Sequence, residues 1–264
     1  MTREVSSITR TGAHEPFELQ VSRGQVAYHR TNFKFGFNPD VDDALETVWA
    51  QGGLYSYLAA ASVLTVSSSN ANDTAAGTGA RTVEIFGLDA SYNEISETIS
   101  LNGQTGVSTS QSYLRINRAI VRTAGSGGQN AGVIYAGTGT VTAGVPANIY
   151  TTIAAGDNQT LMALWTVPAG YTAYLHELLA TVATTQNNKY CTATLVARPL
   201  GQVFQVKDKF VISEGSHHQE YSFPFKFDEK TDIEVRAIGD SASADIAISA
   251  ALDIVYIRNG STLA

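Results

Sequence analysis

Short segments of alternating apolar and polar residues, separated by Gly, Asn, Asp, Ser and Pro, limit most strongly what this chain can fold into. Alternation with a period of two places apolar side chains on one face of a β-strand. Such runs fill both halves of the 264-residue sequence. A helical stripe occurs once, where Val41, Leu45 and Val48 follow a Pro-Asp pair at helical spacing. The sequence therefore predicts an all-β protein with one short helix near residues 41–50.

The pattern of the strand-like runs changes near Gly144-Val145-Pro146. Before it, RTVEIFG and EISETISL flank the turn LDASYN, which is the signature of a hairpin. After it, evenly spaced runs from TLMALWTV to DIVYI continue to the end without helical periodicity. Evenly spaced short strands are typical of a two-sheet sandwich or a jelly roll. We therefore predict two β-sandwich domains, an N-terminal β domain over residues 32–145 and a jelly-roll-like one over residues 146–264.

Residues 1–31 differ from both halves. They are polar, contain Gly12, Pro16 and Gly24, and alternate only briefly. A segment of this composition cannot bury enough apolar surface to order by itself. We predict an extended N-terminal arm that becomes ordered against the body of the protein or against a neighbouring chain.

The composition excludes several classes of partner. Charged residues make up 16% of the chain, against roughly 25% in typical soluble domains. The formal net charge of -7 opposes binding to phosphate backbones, so no nucleic-acid partner is expected. MTREVSSITR has no apolar signal core, and no run approaches the roughly 18 apolar residues of a membrane span. A surface rich in Ser, Thr, Asn and Gln instead suits contact with other protein chains.

No group of residues predicts catalysis, a metal or a cofactor. Neighbouring strand residues point to opposite faces, so His217 and His218 do not share a metal easily, although His218 and Glu220 lie at suitable spacing. The acidic cluster after Pro39 lacks the glycine and the closing glutamate of a calcium loop. The single cysteine, Cys191, lies in an apolar run and is predicted to be a buried small side chain. We expect a protein that is not an enzyme and has no cofactor.

Two local groups are candidates for contact with another chain. Arginines recur within YLRINRAIVR, and their guanidinium groups suit interfacial carboxylates, although a solvated strand face is the alternative. Phenylalanines alternate with other residues in TNFKFGFNP, as on one face of a strand. The candidate interface residues are Arg115, Arg118, Arg122, Phe33, Phe35 and Phe37.

The stretches DTAAGTGARTVEIFGLDASYNEISETISLNG, SYLRINRAIVRTAGSGGQNAG and DNQTLMALWTVPAGYTAYL resemble sequences of virion structural proteins from tailed bacteriophages. The resemblance covers residues 30–258. It implies a homo-oligomeric protein of the virion, assembled in the host cytoplasm, which contacts the major capsid protein or tail proteins. A capsid decoration (cement) protein that stabilises the head is favoured, because the long repeats of fibre shafts and the helices of portal-ring adaptors are missing. A tail adaptor or fibre-base protein is the alternative.

A carbohydrate-binding receptor module is a further alternative from another class. Aromatic rings exposed together would act as sugar platforms. The candidate rings are Tyr55, Tyr57, Trp165 and Tyr171. A hydrolase on the same scaffold requires convergence of His176, His217 and His218 in one pocket.

Overall fold

The computed structural model describes residues 7–8, 14–242 and 245–261. The predicted all-β class is confirmed, because antiparallel strands dominate these residues. Within the described ranges the α-helix α1 (Phe17–Ser22) stands alone among the strands. No helix in this part of the chain is long and apolar enough to cross a membrane.

The strands are numbered in chain order. Those of the first half are β1 (Ser7–Ile8), β2 (His14–Glu15), β3 (His29–Asn38), β4 (Glu46–Thr47), β5 (Ser62–Ser68), β6 (Ala80–Leu88), β7 (Glu94–Ser100), β8 (Val107–Tyr113), β9 (Arg115–Ala124), β10 (Ile134–Thr142) and β11 (Val145–Ile153). Those of the second half are β12 (Leu164–Thr166), β13 (Tyr171–Thr184), β14 (Cys191–Arg198), β15 (Gln205–Ile212), β16 (Gly215–Phe227), β17 (Asp232–Gly239) and β18 (Ile246–Arg258).

Two sheets build the N-terminal half. One has the strand order β11-β10-β5-β8 and the other has the order β7-β6-β9. Alternate side chains from both sheets meet in one hydrophobic cluster, which includes Leu64 of β5, Ile85 of β6 and Ile116 of β9. The predicted hairpin is present as β6 and β7, which pair from Thr82↔Ser100 to Leu88↔Glu94.

Two further sheets build the C-terminal half. One has the order β12-β17-β14-β15, with β4 also paired to β17, and the other has the order β16-β13-β18-β3. Their facing side chains form the largest hydrophobic cluster, with Leu195 and Val235 from the first sheet and Leu175, Leu178 and Leu252 from the second. Cys191 belongs to this cluster, as predicted. Burial raises the pKa of its thiol to about 11.

The pairing of β3 differs from the predicted division at residue 145. β3 pairs antiparallel with β18 from Asn38↔Ile248 to His29↔Ile257, so residues early in the chain complete a sheet of the C-terminal half. Residue 145 itself begins β11, which remains hydrogen-bonded to β10. The strands β3 and β4 thus belong to the C-terminal half, the strands β5–β11 form the N-terminal half, and the strands from β12 onward belong to the C-terminal half again.

The predicted helix at residues 41–50 is wrong. The segment forms bends and the short strand β4, and both Val41 and Val48 are buried. The buried Glu46 carboxylate organises it by accepting hydrogen bonds from Asp42 N at 3.0 Å and Gly53 N at 2.7 Å. Tertiary contacts therefore override a weak helical stripe here.

Only part of the predicted arm is described. Residues 1–6 and 9–13 lie outside the described residues. The described part is not simply extended, because α1 buries Val21 and because β3 begins at His29. The arm's dependence on a neighbouring chain remains a prediction.

Buried charges join the two halves. Asp232, at the start of β17, accepts hydrogen bonds from Nε of Arg115 on β9 at 2.8 Å and from Nη2 of Arg198 on β14 at 2.6 Å. Its other partner is Oγ1 of Thr166, at 2.6 Å. A single carboxylate thus links a strand of the N-terminal half to two strands of the C-terminal half.

Candidate interaction surface

A bulge on the edge strand β16 exposes one phenylalanine almost completely. Phe225 pairs with Leu175 and Glu220 pairs with Glu177, so residues 221–224 stand opposite His176 alone. Bulges of this kind interrupt the hydrogen-bond ladder and redirect side chains. A proline is accommodated at a bulge because its missing N–H group is not needed for the ladder there. Phe223, which precedes Pro224, is 91% exposed. Leaving its ring in water forgoes about 1.5–3 kcal/mol of transfer free energy.

Further exposed apolar side chains lie on and before the neighbouring edge strand β15. The Tyr221 hydroxyl of β16 donates to Asp208 Oδ2 of β15 at 2.7 Å, which brings the two edge strands together beside the bulge. We call the exposed apolar residues of these two edges the apolar rim. It consists of Leu200, Val203, Val206, Val211 and Phe223. Exposed apolar residues at a sheet edge are candidates for contact with another chain.

A second exposed apolar group lies on β3, and we call Phe33, Phe35 and Phe37 the phenylalanine face. The predicted strand is present, and the rings do share one face. That face is the outer one, since Phe33 is 57% exposed, while the inward residues are polar or glycine. The neighbouring chain segments explain why the rings point outward. A Cβ on Gly36 would lie 2.2 Å from Ala163 N and 2.3 Å from Val48 O, so the inner side has no room for large side chains there.

Strand register shows what surrounds the phenylalanine face. Phe35 is opposite Ala251, which in turn is opposite the exposed Leu179 of β13. In the adjacent row Phe33 is opposite Asp253, and Asp253 is opposite Glu177. The Phe33 row is therefore acidic and the Phe35 row is apolar. A protein surface with apolar side chains and basic groups would complement this face.

The structure places the three candidate arginines in different environments. Arg115 is buried against Asp232 and is fully engaged inside the chain. Arg122 forms an ion pair with Glu84, with Nε 2.6 Å from Oε2. Arg118 donates from Nη2 to the Phe33 carbonyl at 2.7 Å, which places it beside the phenylalanine face. A role of these residues in contact with another chain remains a prediction.

The candidate sugar-binding rings are not exposed together. Tyr55 and Trp165 are buried, and Tyr57 and Tyr171 are half-buried. Tyr57 packs edge-on against Tyr55, with ring centroids 4.8 Å apart. No common platform for a sugar ring is formed by these four side chains.

His217 and His218 have separate structural partners. His217 stacks on Phe210 with ring centroids 4.1 Å apart, and His218 Nε2 lies 2.8 Å from Glu177 Oε1. Within the described ranges, no group of three or more His, Cys, Asp or Glu side chains is arranged to hold a metal ion. His217 thus stacks on an aromatic ring, and His218 lies against a carboxylate.

Phe223 is the residue that the sequence interpretation missed. Its signal was present in QEYSFPFKF, because a proline inside a strand-like run indicates an edge strand or a bulge. The sequence alone does not say towards which side Phe223 turns.

Known proteins resemble this chain only weakly. No protein-family model matches the chain, and no curated protein matches it. Among solved structures, "Structure of infectious bursal disease virus Gx strain" matches 89% of this chain and 73% of that chain at 12% identity, with a TM-score of 0.27. A VP2 subviral particle of the same virus matches 88% of this chain and 72% of that chain at 10% identity, with a TM-score of 0.23. Similarity this low carries no argument about the function of the chain.

Proposed function

We propose that this chain is a non-enzymatic structural protein of a virion that assembles with copies of itself and with coat proteins. The observation that carries the proposal is Phe223, 91% exposed on an edge bulge and accompanied by the rest of the apolar rim. Covering such side chains with a neighbouring chain removes them from water and contributes about 1.5–3 kcal/mol for each large one. Aromatic side chains of this kind are the usual anchors of protein interfaces.

The strand order supports the same class of protein. We propose that the four large sheets form two sandwiches and that the C-terminal one is a jelly roll. Its two sheets contain β3, β4 and β12–β18. The strands β12, β13 and β14 alternate between the two sheets, and so do β15, β16, β17 and β18. Viral capsid proteins and lectin domains both use the jelly roll. The fold thus agrees with a coat role by analogy, and the function rests on the exposed surface.

The sequence resemblance to tailed-phage virion proteins supports a place on the particle without choosing between head and tail, and the absence of fibre repeats and adaptor helices favours the head. We favour decoration of the capsid, where many copies stabilise the head, over a tail adaptor or fibre-base position. Small outer subunits of a coat are held by their neighbours, which agrees with apolar residues exposed on one rim and on the phenylalanine face.

Self-association is tested by analytical ultracentrifugation of the purified chain. Phe223→Ser should weaken association by at least about tenfold, since it removes an interface anchor. Val63→Ser is the matched control, because Val63 is 48% exposed on β5 of the other half. Circular dichroism should be unchanged for both. Equal association of wild type and Phe223→Ser, or weakening by Val63→Ser alone, would contradict the role of the rim.

The position is tested by cryo-electron microscopy of particles that carry a tagged copy of the chain. Density distributed over the head surface supports decoration. Density restricted to the tail supports the adaptor or fibre-base alternative. Specific binding to a glycan array, retained in Phe223→Ser, would favour a receptor module instead.

A further inference from the structure

A cavity of about 220 Å³ lies where the two halves meet. Its walls come from β3 and β18 of the C-terminal half and from β6, β7 and β9 of the N-terminal half, with Trp165 of β12. Much of the lining is apolar or aromatic. The apolar and aromatic lining residues are Phe86, Ile95, Ile120, Trp165 and Tyr256.

A buried lysine, Lys34, lines this cavity. Lys34 is 2% exposed, and its Nζ donates to the main-chain carbonyl of Asn117. The ion pairs among the described residues do not include Lys34. Burial, with a smaller effect from the positive charge of Arg118, holds the pKa of Lys34 well below its usual value. A buried ammonium group that lacks a counter-charge is costly, so the site favours an incoming anion.

A second donor faces the same space. Asn32 lies two residues before Lys34 on the same face of β3 and also lines the cavity. Its Nδ2 atom is buried and has no hydrogen-bond partner within the described part of the chain. Unpartnered buried donors are rare in native structures and point to a missing acceptor.

We infer that this cavity binds a small carboxylate with a short apolar or aromatic group. The carboxylate would accept hydrogen bonds from Lys34 Nζ and Asn32 Nδ2, close to the charge of Arg118. The apolar group would lie against Phe86 and Trp165. The combination of a few polar groups with apolar walls is typical of small-molecule sites.

The other charged groups near Lys34 are accounted for. Glu94 lines the cavity, but its Oε2 lies 2.6 Å from Nη1 of Arg30. Tyr256 remains neutral, since burial raises the pKa of its hydroxyl. Arg118 is cationic, and its Nη2 donates to Phe33 O. Lys34 is therefore the group whose charge changes when the anion enters, and binding should take up a proton.

The test is isothermal titration calorimetry with benzoate, acetate and inorganic phosphate. Benzoate should bind wild type with proton uptake, seen as a dependence of the heat on the ionisation enthalpy of the buffer. Where the free amine is neutral, the affinity should fall by about tenfold for each unit rise in pH. Lys34→Met should reduce the affinity by at least about tenfold. Lys209→Met, which removes an exposed lysine of β15, is the matched control and should bind as wild type does.

Three results would overturn the inference. The first is no heat of benzoate binding to wild type at pH 6. The second is equal affinity in wild type and in a Lys34→Met protein whose circular dichroism is native. The third is phosphate binding as tightly as benzoate, which would identify a simple anion site. Self-association plays no part in these measurements, so the result is independent of the proposed virion role.

Discussion

Replacement of Asp232 by Asn should destabilise the protein strongly, because this carboxylate is the centre of the buried ion pairs between the halves. Its two oxygens accept five hydrogen bonds, from Arg115, Arg198 and Thr166. The Asp232 side chain is 3% exposed and that of Arg115 is 10% exposed. The substitution keeps the size of the side chain but leaves two guanidinium groups without their counter-charge.

The magnitude follows from the burial of the pair. Removing one partner of a buried ion pair costs about 3–5 kcal/mol, since the remaining charge stays desolvated. With a urea m value of about 3 kcal/mol/M, the unfolding midpoint should fall by about 1–2 M. Adding Arg115→Met to Asp232→Asn should restore part of the loss, because it removes one of the unpaired charges.

Urea denaturation, followed by circular dichroism and tryptophan fluorescence, measures the effect. Asp228→Asn is the control, because Asp228 is 74% exposed in its pair with Lys226 and should leave the midpoint unchanged. A loss below about 1 kcal/mol for Asp232→Asn would refute the reasoning that these charges are desolvated in the folded state.

Three other substitutions or reagents test separate parts of the fold. Gly36→Ala should cost more than about 2 kcal/mol in urea denaturation, since the new Cβ would lie 2.2 Å from Ala163 N, and an unchanged midpoint would contradict this close approach. Because burial lowers the pKa of Lys34, the folded protein releases a proton that the unfolded chain retains, so stability should rise with pH until the usual lysine pKa of 10.5 is reached. The Lys34→Met protein should show a smaller rise in stability over the same pH range. Stability curves that run parallel for the two proteins would refute the lowered pKa of Lys34. Cys191, buried and with a pKa raised to about 11, should react with iodoacetamide at pH 8 only after unfolding, and rapid labelling of the native protein would contradict its burial.

Local features of the fold were predictable from the sequence because their signals are local. The hairpin of β6 and β7 follows from two alternating runs around a short turn. The conformation of the segment after Pro39 was not predictable from local sequence. It depends on the Glu46 carboxylate and on the strand pairing of Thr47 with Arg236. The partner of β3 lies at the far end of the chain, and alternation does not identify such a partner.

The candidate surface shows the same limit. The spacing of Phe33, Phe35 and Phe37 predicted that the rings share a face, but not that this face is the outer one. The phase is set by Met162 and Ala163, which approach the inner side of β3. The arginine cluster was visible as a run in the sequence, yet Arg115 is paired with a residue of another sheet. Sequence spacing alone therefore could not separate an internal ion pair from an interface.

The edges of the sheet β16-β13-β18-β3 indicate how a neighbouring chain would attach. On β3, the Phe33 carbonyl accepts from Arg118 and the Phe35 carbonyl accepts from Met162 N at 3.0 Å. On β16, the bulge before Phe225 interrupts the ladder, and Pro224 offers no N–H group. Both edges are thus poorly suited to the addition of another strand. A neighbour that binds this sheet would have to do so through side chains, so Phe223→Ser should change association without changing the fold.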